Sequence, residues 1–487
     1  MGAVRPEWYD EGMRRIAFFA VPLLAAALLA GAALSDPAPL FLRRAVAAAL
    51  MPALPFWDAL HGGLERAAPP AREPRRIDAR PLSAQARLMW SDLEARFLAD
   101  EGRLLLISTP PVEIGDACLW QGVYAAAAAI ENARAPSPRA RRRAERAFEG
   151  LKRLGSRGRP IARAVLPLDV VTEPPGRAYH RDAFWQWKED ASVDSAAGWV
   201  FGCLVTAELL PSKRGEALAA LRRFADALLD GGLRLRNSDG RPTRFNSMGG
   251  AFVNSPVGLL SSAAALRALD GAGYGPRYGI AHAELSAGEQ ARWAAYASGP
   301  QFWRNETTNH NIAYLALVSA MLAEPEPRLW QVYARGLLRL DALTHGMGNS
   351  FWIYLSEWAL ARRPELAAGL AGESGYDRHR ARRAERLAAA RVSMLEWRYP
   401  ECKRKVRFVH PRPPQLKRAR EPFGPGERAA EPLPVCERPP ADFVWQRSPY
   451  ALDGWLKLKG EGQDFNPVDF LVAYGLGVSV GGLSSGD

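Results

Sequence analysis

The hydrophobic positions of this chain follow a helical period from about residue 83 onward. Leu218, Leu221, Ala225 and Leu228 recur three or four positions apart, which places them on one face of a helix. With Gly and Pro taken as boundaries, the same pattern predicts a dozen helices. They are expected at 83–99, 116–133, 138–154, 192–209, 212–230, 255–269, 286–297, 308–323, 327–342, 349–362, 376–394 and 466–476.

Strand patterns are sparse, at Leu104–Ser108 and Val406–Val409 at most. Helices in pairs without alternating strands indicate an all-α fold, either an open solenoid or a closed (α/α) toroid of helical hairpins. We expect the toroid, with residues 81–487 as one domain and a Pro- and Arg-rich insert at about 399–444.

The connections between the predicted helices alternate in length. A short turn at 324–327 contrasts with long polar loops at Ala164–Asp190, Arg234–Ser255 and Gly299–Asn309. This asymmetry suits a toroid in which one end carries the functional loops.

The N-terminus carries an apolar run, Ile16 to Leu34, directly after Arg14-Arg15. This run is long enough to span a bilayer, and its positive charge lies only on the N-terminal side, which predicts an N-terminus-in orientation. Residues 1–35 are therefore a signal anchor or a signal peptide with a small-residue cleavage site at 30–32. We favour an uncleaved transmembrane helix in the inner membrane, with the soluble domain in the periplasm or outside the cell.

Residues 36–80 are expected to remain close to the membrane. The second apolar stretch, 41–60, is broken by Pro and charged residues, so it predicts an interfacial helix rather than a second span. The Pro- and Arg-rich segment 67–80 that follows is typical of a linker.

Composition describes a folded, basic protein. The 487 residues are 48% hydrophobic and carry a formal net charge of +12. Such a charge favours acidic partners, such as an anionic polysaccharide or glycan or the membrane surface, although Arg-rich solvated helix faces account for most of it. No nucleic-acid-binding motif is present, so no nucleic-acid partner is expected.

Four cysteines are present, at spacings that fit no metal site. Cys118 and Cys203 lie inside apolar helical patterns and are expected in the core. Cys402 and Cys436 bracket the insert, and an oxidising compartment would favour a disulfide between them.

The richest polar stretch runs from Arg304 to Tyr314, directly before an apolar helical pattern. Thr307 or Thr308 suits an N-cap, which would place polar side chains in the first turn beside free backbone N–H groups. The alternative is purely structural, with capping asparagines and a hydrogen-bonded histidine. The candidates for binding or catalysis in this stretch are Arg304, Glu306, Asn309, His310, Asn311 and Tyr314.

A second rich stretch runs from Trp185 to Asp194. Asp190 is expected to cap the next helix, and Asp194 follows four residues later on the same face. Two carboxylates this close can raise one pKa, as acid–base catalysis requires. A capping and dipole-complementing role explains Asp190 equally well, and substrate or calcium binding is a further alternative.

Other predicted helix starts and their loops also gather polar or aromatic residues, for which core packing is the competing interpretation. The candidates for substrate binding there are Trp120, Trp187, Asn246, His345, Asn349 and Arg447. Trp120 and Trp187 are candidate platforms for sugar rings. The sequence has no phosphate loop, dinucleotide fingerprint, esterase elbow or zinc motif, so neither a cofactor nor a metal is expected.

The paired helices with polar, aromatic starts resemble the (α/α) toroid, or six-hairpin, superfamily of carbohydrate-active enzymes. Thr308-Asn309-His310-Asn311-Ile312-Ala313-Tyr314 is similar to the Asn-His…Tyr pattern of polysaccharide lyases, although Tyr314 follows the histidine by four positions where alginate-type lyases place it two after. The resemblance implies cleavage of a glycosidic bond by a lyase or a hydrolase.

Two mechanisms are therefore open. In a lyase, Asn309 and Arg304 would neutralise a uronate carboxylate while His310 or Tyr314 removes the C5 proton. In a hydrolase, Asp194 or Asp190 would work with Glu306. Two other classes compete: a non-catalytic glycan-binding or scaffold protein of the cell envelope, and a toroid isomerase or hydratase acting on a non-sugar substrate.

Overall fold

The computed structural model describes residues 80–174, 176–248, 255–286, 308–404, 418–420, 427–429, 431–438, 443–446, 449–450, 463–484 and 486. Within these ranges the chain is predominantly helical, as the hydrophobic period predicts. The predicted membrane helix, interfacial segment and most of the linker lie outside the described residues. No single described helix is long and apolar enough to cross a membrane, although one bent pair, Val193–Leu209 with Pro211–Asp230, passes that test jointly.

Fourteen α-helices are numbered here in chain order among the described residues. They are α1 Leu82–Arg96, α2 Ala117–Arg134, α3 Pro138–Arg157, α4 Val193–Leu209, α5 Arg214–Asp230, α6 Ser255–Gly271, α7 Pro276–Ser286, α8 Thr308–Ala323, α9 Pro327–Thr344, α10 Ser350–Ala361, α11 Pro364–Ala368, α12 Ser374–Ala381, α13 Arg383–Leu395 and α14 Val468–Ser479.

The helices fall into two groups by burial. Helices α2, α4, α8, α10 and α14 are buried on nearly every face, as expected for helices that are apolar all round. Helices α1, α3, α5 and α13 bury one face only. Helix α3 shows why: Ala144, Phe148 and Leu151 form its buried stripe, while most of its charged residues lie on the other side.

The buried helices pack in a defined order. Helix α2 packs on α4, α4 on α6 and α8, α6 on α8, α8 on α10, and α10 on α14. Helix α14 in turn packs on α2, so the series of contacts returns to its first member.

Glycines allow α2 and α4 to approach closely. A Cβ atom added at Gly122 would lie 1.9 Å from the carbonyl oxygen of Gly198, and one at Gly202 would lie 2.6 Å from the carbonyl oxygen of Gly122. No side chain fits at such distances, so this contact depends on backbone packing against backbone.

Short antiparallel strands occupy the loops. They are β1 Leu98–Ala99, β2 Leu104–Leu105, β3 Ala164–Pro167, β4 Tyr179–Arg181, β5 Trp185–Lys188, β6 Arg234–Arg236, β7 Pro242–Ser247, β8 Arg418–Arg420 and β9 Glu427–Ala429. Strand β5 lies between β3 and β4, with Trp187 opposite Val165 and His180. The sequence did not predict this sheet. Of the strand expected at Leu104–Ser108 only β2 forms, and Val406–Val409 lies outside the described residues.

Helices α7 and α11 were not predicted. The helix expected at 286–297 lies almost wholly outside the described residues and stays a prediction. The helix expected at 376–394 is two helices, α12 and α13, which meet at Arg382.

The predicted disulfide is confirmed. Cys402 and Cys436 are bonded, with their Cα atoms 4.6 Å apart. Next to the bridge, buried Lys403 forms an ion pair of 2.7 Å with buried Asp469 at the start of α14. The disulfide-bonded segment is thereby fixed to the last helix.

Candidate functional site

Four predicted site residues lie around one tryptophan, Trp352 in the first turn of α10. Its Nε1 donates a hydrogen bond to Oδ1 of Asn311 at 2.7 Å. The Tyr314 ring stacks on it with centroids 5.4 Å apart, and the His310 ring lies at 5.7 Å in a tilted arrangement. Asn349 caps the same helix, since its Oδ1 accepts from the backbone N–H of Trp352 at 3.2 Å. The starts of α8 and α10 are thus in direct contact.

Burial defines the chemistry of this cluster. Tyr314 is 0% exposed, and its hydroxyl shares a hydrogen bond of 2.7 Å with Thr344. Burial raises the pKa of Tyr314 well above the ordinary value for a phenol. His310 is 5% exposed. The contacts of Tyr314 therefore favour a structural role over that of a catalytic base.

The amide of Asn349 is also engaged structurally. Besides capping α10, its Nδ2 donates to the carbonyl oxygen of Trp445 at 2.9 Å. Asn349 therefore joins the start of α10 to the segment that precedes α14.

Asp190 does not cap the following helix, contrary to expectation. Ser192 is the N-cap of α4 and forms a capping box with Ser195. Asp190 adopts a positive φ of 56°, and its Oδ1 accepts a hydrogen bond from the backbone N–H of Arg244 at 2.8 Å. Asp194 is half-buried in the first turn of α4, where a carboxylate is favoured by the helix dipole.

Arg163 joins the starts of α2 and α4. Its Nη2 lies 3.4 Å from Oδ1 of Asp116, the residue before α2. Its Nη1 donates to the carbonyl oxygen of Asp190 at 3.2 Å, and its Nε donates to the carbonyl oxygen of Gly115. One guanidinium group therefore holds two helix starts together.

Lys188, at the end of β5, belongs to the cluster around Arg163. It is half-buried, and burial lowers its pKa, as does the positive charge of Arg163, while Asp190 opposes the shift. Sequence analysis missed both Arg163 and Lys188. The sequence could have indicated Lys188, because it follows two tryptophans and precedes two carboxylates within residues 185–190. No sequence pattern indicated Arg163, because it is distant from the other residues of the cluster in sequence and only the fold places it next to them.

The two candidate platforms differ. Trp120 is 1% exposed and stacks on Phe443 at 3.8 Å, so it belongs to the core, the interpretation that competed with binding. Trp187 is half-buried, with the His180 ring stacked on it at 5.3 Å and the Arg157 guanidinium 5.0 Å from its centroid.

The remaining predicted residues lie elsewhere. Asn246 is on β7 rather than in a loop before a helix, and its Nδ2 donates to the carbonyl oxygen of Thr243 at 2.7 Å. Asn309 is half-buried in the first turn of α8. Arg304, Glu306, Arg447 and the side chain of His345 lie outside the described part of the structure. The described residues contain no group of three or more His, Cys, Asp or Glu side chains that could hold a metal ion.

Comparison with known proteins adds no relative: no protein-family model, no curated protein and no solved structure matches this chain. Two clusters, one around Trp352 and one around Arg163, are therefore the candidates for a functional site.

Proposed function

We propose that α2, α4, α6, α8, α10 and α14 form the inner ring of an (α/α) toroid. The order of packing supports this arrangement, because it returns from α14 to α2. Burial supports it too, since helices expected on the inside are apolar on nearly all faces and several of those between them bury one face.

We further propose that the protein is a membrane-tethered enzyme that cleaves a glycosidic bond in a polysaccharide or glycan. Helical hairpins reverse the chain direction, so alternate helices run the same way and their starts lie at one end. The observation that carries the proposal is the Arg163 contact with Asp116 and Asp190, because it brings together polar groups from two such starts.

The exposure of the candidate residues favours a hydrolase mechanism, in which carboxylates act as acid and base. Asp194 and Asp190 are both half-buried, whereas Tyr314 is fully buried and His310 nearly so. We assign Asp194 as the acid–base residue and Lys188 as a cation that binds substrate hydroxyl or carboxylate groups. Trp187 directly precedes Lys188 on β5, and its half-buried indole is proposed as the aromatic surface for a sugar ring.

The test is an activity screen of the full chain on neutral and uronate-containing polysaccharides. Hydrolysis releases reducing ends alone, whereas a lyase also produces an unsaturated uronate that absorbs ultraviolet light. Asp194→Asn is expected to lower kcat by about a hundredfold or more, the usual contribution of acid–base catalysis. Asp230→Asn, which alters an exposed carboxylate at the end of α5, is the control and should leave kcat unchanged.

Each alternative predicts a different result. Full activity in Asp194→Asn would contradict the assignment of the acid–base residue. Saturable glycan binding without turnover of any substrate would indicate a glycan-binding or scaffold protein instead. Turnover of non-sugar substrates alone would indicate an isomerase or hydratase.

A further inference from the structure

A basic cavity lies on the flank of the helices, away from the starts of α2 and α4. Its volume is about 480 Å³, within the range of small-molecule sites. The end of α1, the turn at residues 101–102, the middle of α2 and the first half of α3 surround it. Four arginines and two glutamates line it, so two positive charges are in excess.

The cavity has a fixed floor. Tyr124 is 0% exposed, and its hydroxyl donates to the carbonyl oxygen of Gly102 at 3.3 Å. On one side Arg143 lies over the Trp90 ring, with its guanidinium carbon 4.0 Å from the centroid. These contacts hold the wall in place without a ligand.

Both glutamates already have partners. Oε1 of Glu94 accepts from Nε and Nη2 of Arg143 at 2.9 and 2.6 Å, and its Oε2 accepts from Arg139 at 2.5 Å. Glu101 pairs with Arg103 at 3.0 Å. Neither carboxylate is therefore left to neutralise the other two arginines.

Those two arginines are Arg142 and Arg146, and neither has a hydrogen bond or ion pair to another side chain within the described ranges. They are four positions apart on α3, so they project from the same face one turn apart. Two guanidinium groups so placed can each donate two hydrogen bonds to the oxygens of one anion.

We propose that this cavity binds a phosphate monoester dianion, held between Arg142 and Arg146. The excess of two positive charges matches a dianion, and the three terminal oxygens of a phosphate monoester match the donor geometry of paired arginines. The cavity is large enough for the organic group attached to the phosphate. The ligand is either a soluble organic phosphate or the headgroup of a phosphatidic acid-type lipid. The site is independent of the proposed glycosidic cleavage.

The test uses the full chain in a neutral detergent at fixed ionic strength, titrated calorimetrically with glucose 6-phosphate. Glucuronate, which carries a single negative charge, is the comparison ligand. We expect saturable binding of glucose 6-phosphate, weakened by about tenfold or more in the double variant Arg142→Gln/Arg146→Gln. The control is Arg222→Gln/Arg223→Gln, which removes the same charge from two arginines on α5 that are exposed, as Arg142 and Arg146 are, but do not line the cavity. It should bind as the unmodified protein does.

The outcomes separate the possibilities. Equal weakening in both double variants would mean that net charge rather than the cavity attracts the anion, and would overturn the proposal. Equal affinity for glucuronate, or binding of neither ligand, would overturn it as well. If glucose 6-phosphate binds as expected, phosphatidic acid is then added to the micelles. Competition with glucose 6-phosphate would identify a lipid headgroup as the ligand, and no competition would identify a soluble organic phosphate.

Discussion

Asn311 and Trp352 are joined by a hydrogen bond of 2.7 Å between two fully buried side chains, and this bond connects the first turns of α8 and α10. His310 and Tyr314 contact the same indole ring. The polar residues at the start of α8 thus contribute to packing between helices.

The Asn311–Trp352 bond should be measurable as a coupling. Trp352→Phe leaves the Asn311 oxygen without its donor in the core, and we expect a loss of about 1–3 kcal/mol in the free energy of unfolding. A double-mutant cycle with Asn311→Ala, measured by urea denaturation, should give a coupling of at least about 0.5 kcal/mol. Additive effects of the two substitutions would show that the bond contributes nothing.

Tyr314→Phe removes only the hydroxyl that bonds to Thr344. We expect the protein to lose about 1 kcal/mol of stability, the net contribution of a buried hydrogen bond, and to keep its activity. The measurement compares the unfolding midpoint with kcat on the substrate found by the screen. Lost activity in a protein of unchanged stability would instead assign a catalytic role to the phenol.

Gly122→Ala should disrupt the contact between α2 and α4, because the new methyl group would lie 1.9 Å from the Gly198 carbonyl oxygen. Overpacking of this kind typically costs about 1–3 kcal/mol, and here backbone must move, so we expect the upper end or a failure to fold. Gly215→Ala is the control, since a Cβ there meets nothing within 4 Å. Thermal unfolding of the two variants measures the difference. A Gly122→Ala variant as stable as Gly215→Ala would show that α2 and α4 do not need this close contact.

His379 should stabilise the protein most at low pH. Burial opposes its charge, but hydrogen bonds to Asp341 and Glu357 outweigh burial and raise its pKa above 6.5. The folded state therefore binds the proton more tightly, and this stabilisation is complete below pH 6.5 and lost as the pH rises through the raised pKa. The stability difference between the unmodified protein and His379→Gln should be largest below pH 6.5 and should shrink in urea titrations as the pH rises above 6.5.

His282 provides the opposite case. Burial and the charge of Arg267 lower its pKa to about 4. Between pH 4 and pH 6.5 the unfolded chain binds the proton and the folded chain does not, so the stability advantage over His282→Gln should fall as the pH falls below 6.5. Parallel pH profiles for the two histidine variants would contradict at least one of the two assignments.

The disulfide between Cys402 and Cys436 closes a loop with a sequence separation of 34 residues. Cys402→Ser/Cys436→Ser should lower the free energy of unfolding by about 3–4 kcal/mol, as expected for a loop of this length. Denaturant unfolding with and without a reductant measures the difference. A reductant that destabilises the double variant as much as the unmodified protein would show that the effect does not come from this bridge.

The helices were predictable where local signals agreed. Ser137 before Pro138 marks the start of α3, and its hydroxyl accepts from the N–H of Ala140 at 3.1 Å, as an N-cap should. The apolar period then sets the length of the helix. The sheet around β5 escaped prediction because its strands are only three or four residues long, too short for a strand pattern to be recognised.

The candidate site was less predictable, since proximity in the fold has no local signature. Asp190 precedes a helix, as a cap would, yet its positive φ and the serine two residues later give the cap to Ser192. Arg163 became a candidate only when the fold placed it between Asp116 and Asp190.

Helix α14 packs on both α2 and α10. It begins at Val468, and 333 residues of chain separate this start from the end of α2 at Arg134. During synthesis, α2 and α10 therefore leave the ribosome with apolar surfaces that have no partner until α14 follows. The nascent chain therefore exposes these surfaces, which favour aggregation, until α14 has been synthesised. Truncation before Val468 should consequently yield insoluble protein rather than a smaller folded one.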